Sequence, residues 1–207
     1  GRAKRVRNSK EVSIEKILDV AFFFYSTKPY DKVVFEEMAK STDITSGGIF
    51  YHFKSKQALF EQMCDKFLLE ETSMFLRLEK YEGETFEEYI EAYINTLKEQ
   101  KQKAKELGVE NLNMALINIT NQALFYYPEF AEKAQKWIDL QIAQWRKVII
   151  KSMVKGEIND NIDVDFVAQL FEDIYCGLSY LSIANKDGID FRKLRESFVF
   201  LYNSLKK

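Results

Sequence analysis

The chain has 207 residues, 46% of them hydrophobic and 30% charged, with a formal net charge of −2. Such a chain has the apolar content to bury a core, which excludes a disordered protein. Its eight glycines and two prolines are too few for the turns of a sandwich, barrel or doubly wound sheet, so the expected fold class is all-α.

One histidine, His52, and two distant cysteines, Cys64 and Cys176, exclude an ordinary zinc site and a disulfide framework. The two thiols are expected in the core of a cytoplasmic protein. No apolar run approaches ~18 residues, so no membrane span is expected. The basic N-terminus lacks the apolar run of a signal peptide, and Gly1 in place of Met is expected of a processed chain. The sequence offers no paired carboxylates set up for acid–base chemistry, no glycine-rich loop to cradle a phosphate, and no nucleophile with a base beside it. Neither an enzyme nor a cofactor is expected.

Charge is divided unevenly. Residues 1–60 hold 11 Lys/Arg against 7 Asp/Glu, a net of +4, and the remainder hold 19 against 25, a net of −6. Arg2, Lys4, Arg5, Arg7 and Lys10 fall in the first ten residues with no acid among them. A polyanionic partner would meet this basic head rather than the acidic body.

The first helix is expected over about Ser9 to Ser26, where Ile14, Ile17, Leu18, Ala21, Phe24 and Tyr25 follow a 3–4 spacing. Pro29 ends it. Three pieces follow, at about 35–41, 45–51 and 55–80, with Thr45 and Ser55 as N-cap types before the second and third. Thr85 and Glu88 read as a capping box for a helix that Gly108 stops. Leu112, Ala115, Leu116, Ile119 and Ala123 line the next. Pro128 suits the first turn of a long helix from Ala131 to Met153. Asp163 caps a helix carrying Val167, Leu170, Phe171, Ile174, Leu178 and Leu181. In the last helix Phe191, Leu194, Phe198, Leu201 and Leu205 repeat at 3-4-3-4. This makes about nine helices and no strand.

Residues 33–60 carry the most information. Helices this short are marginal alone, so packing must hold them. A short helix, a tight turn and a second short helix are the parts of a helix-turn-helix, with Met38, Ala39, Ile44, Ile49 and Phe53 inside. The second short helix opens with Thr45, Ser46, Gly47 and Gly48, small residues that let backbone amides approach a phosphate or base edge.

The run Phe35-Glu36-Glu37-Met38-Ala39-Lys40, followed by Ile44 through Phe60 (ITSGGIFYHFKSKQALF), resembles the TetR (tetracycline-repressor) family of bacterial transcriptional regulators. The resemblance covers about residues 10–62. It implies an N-terminal three-helix DNA-binding domain, residues 1–54, and a C-terminal helical bundle, residues 55–207, that binds an effector and dimerises. The helix 55–80 would link the two. By position, the resemblance places Thr45, Ser46, Gly47 and Gly48 at the major groove and Phe50, Tyr51 and His52 along the backbone. Lys56 would meet a phosphate, and the arm with Arg5 and Arg7 the neighbouring groove. Gly48, Phe50, Val34 and Glu36 depart from the commoner Thr/Ser/Ala, Tyr, Ser/Thr and Arg of the family.

What the resemblance implies is a homodimer on a double-stranded operator, most simply a repressor released by an apolar or amphipathic small molecule. The rival reading is a TetR-like protein whose head is a coactivator-type interaction module. Polar and aromatic residues within the body's apolar stretches, Asn118, Gln122, Phe125, Trp145 and Tyr175, are the expected ligand contacts, with Asn121 and Gln141 as further polar candidates. The stripe of the last helix suits a dimer seam or, equally, a core face.

Overall fold

The computed structural model describes residues 9–69, 78, 81, 83 and 85–207. The described residues form nine α-helices: α1 (Ser9–Thr27), α2 (Phe35–Lys40), α3 (Ser46–His52), α4 (Lys56–Cys64), α5 (Phe86–Glu106), α6 (Leu112–Tyr126), α7 (Phe130–Val154), α8 (Val164–Leu181) and α9 (Phe191–Leu205). The fold is all-α; Ile158 and Lys206 make an isolated antiparallel bridge. Of the expected basic arm at 2–10, residues 2–8, with Arg5 and Arg7, lie outside the described residues, and Ser9 and Lys10 belong to α1. Most of 70–80, the second half of the expected linking helix, also lies outside them.

Local chemistry sets the helix ends. Pro29 cannot continue α1, and the Ser26 and Thr27 hydroxyls donate back to the Phe23 carbonyl at 2.8 and 2.9 Å. Thr45, Ser55 and Thr85 accept from Gly48, Ala58 and Glu88 amides at 3.0, 3.0 and 3.2 Å, and Asp163 and Asp190 cap α8 and α9. Val34 precedes α2 and supplies no side-chain cap. Pro128 lies in the turn before α7 rather than in its first turn, because the helix begins at Phe130. After Cys64 the chain continues as a π-helical turn, Asp65–Leu69.

Two apolar clusters organise the molecule. The first joins α1–α4 to the end of α5 and to α6, and includes Phe22, Tyr25, Met38, Ile49, Phe53, Phe60, Ala115 and Ile119. Phe67 of the π turn stacks on Phe22 at 4.2 Å. Of the four rings at 22–25, Phe23 is the less buried one, and it lies against Gly108 after α5. The second cluster joins α5, α7, α8 and α9 around Trp145, which stacks on Phe171 at 4.8 Å. The 3-4-3-4 stripe of α9 is a core face: Leu194 and Phe198 are fully buried within it. Cys64 is buried, whereas Cys176 is exposed and is not a core thiol.

Asn111 knots α6 to the turn after α8. Its carboxamide donates to the Ser182, Ile183 and Asn185 carbonyls, at 3.2, 3.0 and 2.6 Å. Gly188 in that turn has φ +74°, and a Cβ there would fall 2.7 Å from Asn113 Oδ1. Only glycine combines that backbone with so close an approach.

Candidate nucleic-acid interface and ligand cavity

The head is built by wedging α3 onto α1, α2 and α4. Ile49 and Phe53 are fully buried, and they fix the opposite side of α3 outward. That outer side carries Gly47, Phe50 (48% exposed) and Tyr51 (68% exposed), with the exposed Thr45 and half-buried Ser46 at its start. All sit on one uncovered surface. Gly48 is half-buried, and a Cβ there would come 2.9 Å from Ile44 Cγ2, so glycine meets a packing demand of the turn. Phe50 tilts against Phe35 of α2 with ring centroids 4.4 Å apart. These two departures from the family pattern thus have reasons inside the head.

His52 is half-buried and meets the Tyr51 ring edge-on at 5.1 Å. Its Nδ1 is enclosed without a hydrogen-bond partner, so an outward bond from this ring must use Nε2. The Lys54 ammonium lies 5.9 Å from the Tyr51 ring. The Lys56 ammonium sits 4.6 Å from the Tyr30 ring, and partial burial lowers its pKa while Asp31 opposes that shift. Three head acids are already paired: Asp43 with Lys16 at 3.2 Å, Asp19 with Lys66 at 3.0 Å, and Glu37 with Lys28. Glu36 is exposed on α2.

In the body, a cavity of about 430 Å³ opens between the π turn, α6, α7 and α8. Phe67, Leu116, Phe130, Trp137, Tyr175 and Tyr180 are among its ring and aliphatic walls, and Gln141 and Thr120 add polar atoms. Glu172 contributes the one charged side chain among the described lining residues. It is 5% exposed, accepts from Trp145 Nε1 at 3.1 Å, and takes a weaker bond from Cys176 Sγ at 3.7 Å. Burial pushes its carboxyl up to about 7, Asp173 adds to the shift, and the two hydrogen bonds hold it back. Burial and Glu172 together push the Cys176 thiol up to about 12.

Of the five expected ligand contacts, the structure places Tyr175 on this cavity. Trp145 is 1% exposed in the second core and is linked to the cavity wall by its hydrogen bond to Glu172. Phe125 is 85% exposed on the outside of α6. Asn118 and Gln122 point the other way, donating to the Ser26 and Tyr25 carbonyls at 3.4 and 3.1 Å. With Asn121 they line a separate cavity of about 330 Å³ where α6 meets the end of α1. Apolar periodicity marks that a polar residue interrupts a face, but not which neighbour the face meets. Glu172 was missed, although Ala168, Glu172, Tyr175 and Ser179 share a 4-3-4 stripe that would have placed it beside Tyr175.

Among the described residues no group of three or more His, Cys, Asp or Glu could hold a metal ion, and no helix is long and apolar enough to cross a membrane.

Residues 17–63 match the sequence pattern of the family described as bacterial regulatory proteins, tetR family. The biofilm-operon icaADBC HTH-type negative transcriptional regulator IcaR of Staphylococcus aureus is 40% identical over 48 residues, 23% of this chain and 26% of that protein. The chain therefore matches about a quarter of that regulator's length. Two solved TetR-family transcriptional regulators share the fold. One, from Cytophaga hutchinsonii, has a TM-score of 0.70 at 17% identity, covering 98% of both chains. The other, from Agrobacterium tumefaciens, has a TM-score of 0.69 at 14% identity, covering 96% of this chain and all of that one.

Proposed function

We propose, for a chain that belongs to the TetR family through residues 17–63, a role as an effector-responsive, homodimeric DNA-binding regulator of transcription. Residues 1–54 read a palindromic operator, and residues 55–207 hold the effector and the second copy. The observation that carries this reading is the uncovered face of α3, which Ile49 and Phe53 lock in place from behind. Gly47 and Thr45 lead this face into the major groove, while Tyr51, His52 Nε2 and Lys56 meet phosphates, contacts that position more than they specify. The matched IcaR segment belongs to a negative regulator, which supports repression as the mode.

The second copy is met by α7 and α8. Leu140, Ile150 and Val154 of α7 and Phe166, Tyr180 and Leu181 of α8 are large apolar side chains left exposed. The outer side of α9 carries an Arg192–Glu196 pair at 3.0 Å and a single large exposed apolar side chain, Phe200. A two-fold pairing of α7 and α8 covers the apolar set on both copies at once.

The effector occupies the 430 Å³ cavity. Phe67 belongs to its wall and also stacks on Phe22 of α1, so a ligand that moves the π turn moves the head. Only the spacing that puts two α3 helices in successive major grooves, about 34–36 Å apart, binds the operator well. The effector releases DNA by its higher affinity for the other spacing.

The test is fluorescence anisotropy of the full chain on duplexes selected from a random pool. Expected are a palindromic consensus and an affinity that falls steeply with salt. Tyr51→Ala should weaken binding about a hundredfold, since it removes one charge-assisted phosphate contact of ~1.4 kcal/mol from each half-site. Salt-independent binding, or none, overturns the reading and favours a head that contacts protein.

A further inference from the structure

The body cavity combines features that an uncharged ligand does not need. An apolar guest is satisfied by Leu116, Phe130 and the rings, yet the wall also holds Glu172, 5% exposed and with no cationic side chain among the described lining residues. Its hydrogen bonds come from neutral donors, Trp145 Nε1 and Cys176 Sγ. The titratable groups around it are Tyr89 and Tyr93 of α5, Tyr175 and Cys176 of α8, all raised and so uncharged near neutrality, and the exposed Asp173. None compensates a carboxylate. A buried carboxylate is costly unless a positive charge accompanies it. Trp137, Tyr175 and Tyr180 line the same space, and aromatic faces attract cations, quaternary ammonium groups above all.

We infer that the cavity takes an organic monocation with apolar substituents, with the Glu172 carboxylate as its counter-charge and the rings of Trp137, Tyr175 and Tyr180 as its walls. This rests on the cavity being the effector site, and it names the class of effector. The cation supplies the positive charge the wall lacks, and its apolar substituents fill the remainder. A neutral molecule of the same shape leaves Glu172 to remain protonated or to bear its charge alone.

The experiment uses the full chain without DNA, with benzyltrimethylammonium and its uncharged carbon isostere neopentylbenzene as probes. Binding is followed by tryptophan fluorescence, to which Trp137 in the wall reports directly. The cation should bind about tenfold more tightly at pH 8 than at pH 6, as a carboxyl titrating near 7 ionises, and the isostere should show no such change. Glu172→Gln, which keeps the shape, should weaken the cation at least tenfold at pH 8 and abolish its pH dependence, leaving the isostere unchanged. Equal binding of cation and isostere to the unmodified chain at pH 8, or a Gln variant that binds the cation undiminished, overturns the inference. Should that variant not fold, the pH behaviour of the two probes on the unmodified chain decides alone. Because no DNA is present, a failed cation test leaves operator binding standing, and loss of operator binding leaves the cation result standing.

Discussion

Tyr126, at the end of α6, stacks on Tyr30 with ring centroids 4.0 Å apart and planes inclined by 13°. Tyr30 lies in the 3₁₀ turn between α1 and α2, and its ring also carries the Lys56 ammonium. The Tyr126 hydroxyl donates to Asp31 in the same turn at 3.2 Å. One stack therefore ties the body to the turn that leads into α2 and α3.

A double-mutant cycle measures that tie. Tyr30→Leu and Tyr126→Leu should each destabilise the fold. Together they should cost less than the sum by about 1 kcal/mol, the usual worth of a stacked aromatic pair beyond its buried area. Urea unfolding of the four proteins gives the number. Additive losses would mean that the stack carries no coupling between body and head.

The two glycines of α3 should respond oppositely to alanine. At Gly47 a Cβ meets nothing nearer than Thr45 Oγ1 at 3.9 Å, so Gly47→Ala should stabilise by up to about 1 kcal/mol through helix propensity. At Gly48 the same methyl falls 2.9 Å from Ile44 Cγ2, on a stiff branched side chain packed into the core. Gly48→Ala should therefore forfeit that gain and fall below the parent by ~1 kcal/mol from overpacking. Thermal unfolding of both variants tests the pair, and equal melting points would remove the packing explanation of Gly48.

Glu172 sets a pH dependence of stability whose sign follows from its raised pKa. The folded protein holds the proton up to about pH 7, whereas an ordinary carboxyl loses it near 4.5. Its stabilising contribution is full below 4.5 and disappears as pH rises through 7. Glu172→Gln stays neutral throughout. Relative to the parent, it should thus gain about 2 to 3 kcal/mol between pH 5 and pH 8. Urea midpoints at the two pH values check this, and a constant difference between the proteins would show that Glu172 is not desolvated.

The sequence carried the head in detail and the body only in outline, for a physical reason. In the head, capping and core positions lie within a few residues of one another, so Thr45 as the cap of α3 and Ile49 and Phe53 as core residues declare themselves through spacing alone. The body's helices were legible from their 3–4 periods and caps, with Asp163 and Asp190 at the starts of α8 and α9. Which face meets which helix was not. The stripe of α9 packs inward against α5 and α8, and Asn118 and Gln122 reach α1 rather than a ligand. Such partners are fixed by long-range packing, which a period does not encode.

The same limit bears on the proposed dimer. A stripe of apolar residues reads alike whether the core or another subunit covers it, and exposure separates the two cases. Val154 (84% exposed) and Leu181 (75% exposed) belong to the uncovered set on α7 and α8, and an acid at either would be buried beside its two-fold partner. Val154→Asp with Leu181→Glu should leave the folded monomer intact, since neither side chain contributes to its core. The pair should dissociate on sedimentation at micromolar concentration. Operator affinity should fall at least a hundredfold, because each head must then find its half-site without the effective concentration that pairing supplies. A variant that remains dimeric would move the interface away from α7 and α8. A variant that dissociates yet binds the full operator as tightly as before would detach DNA reading from the pairing of two heads.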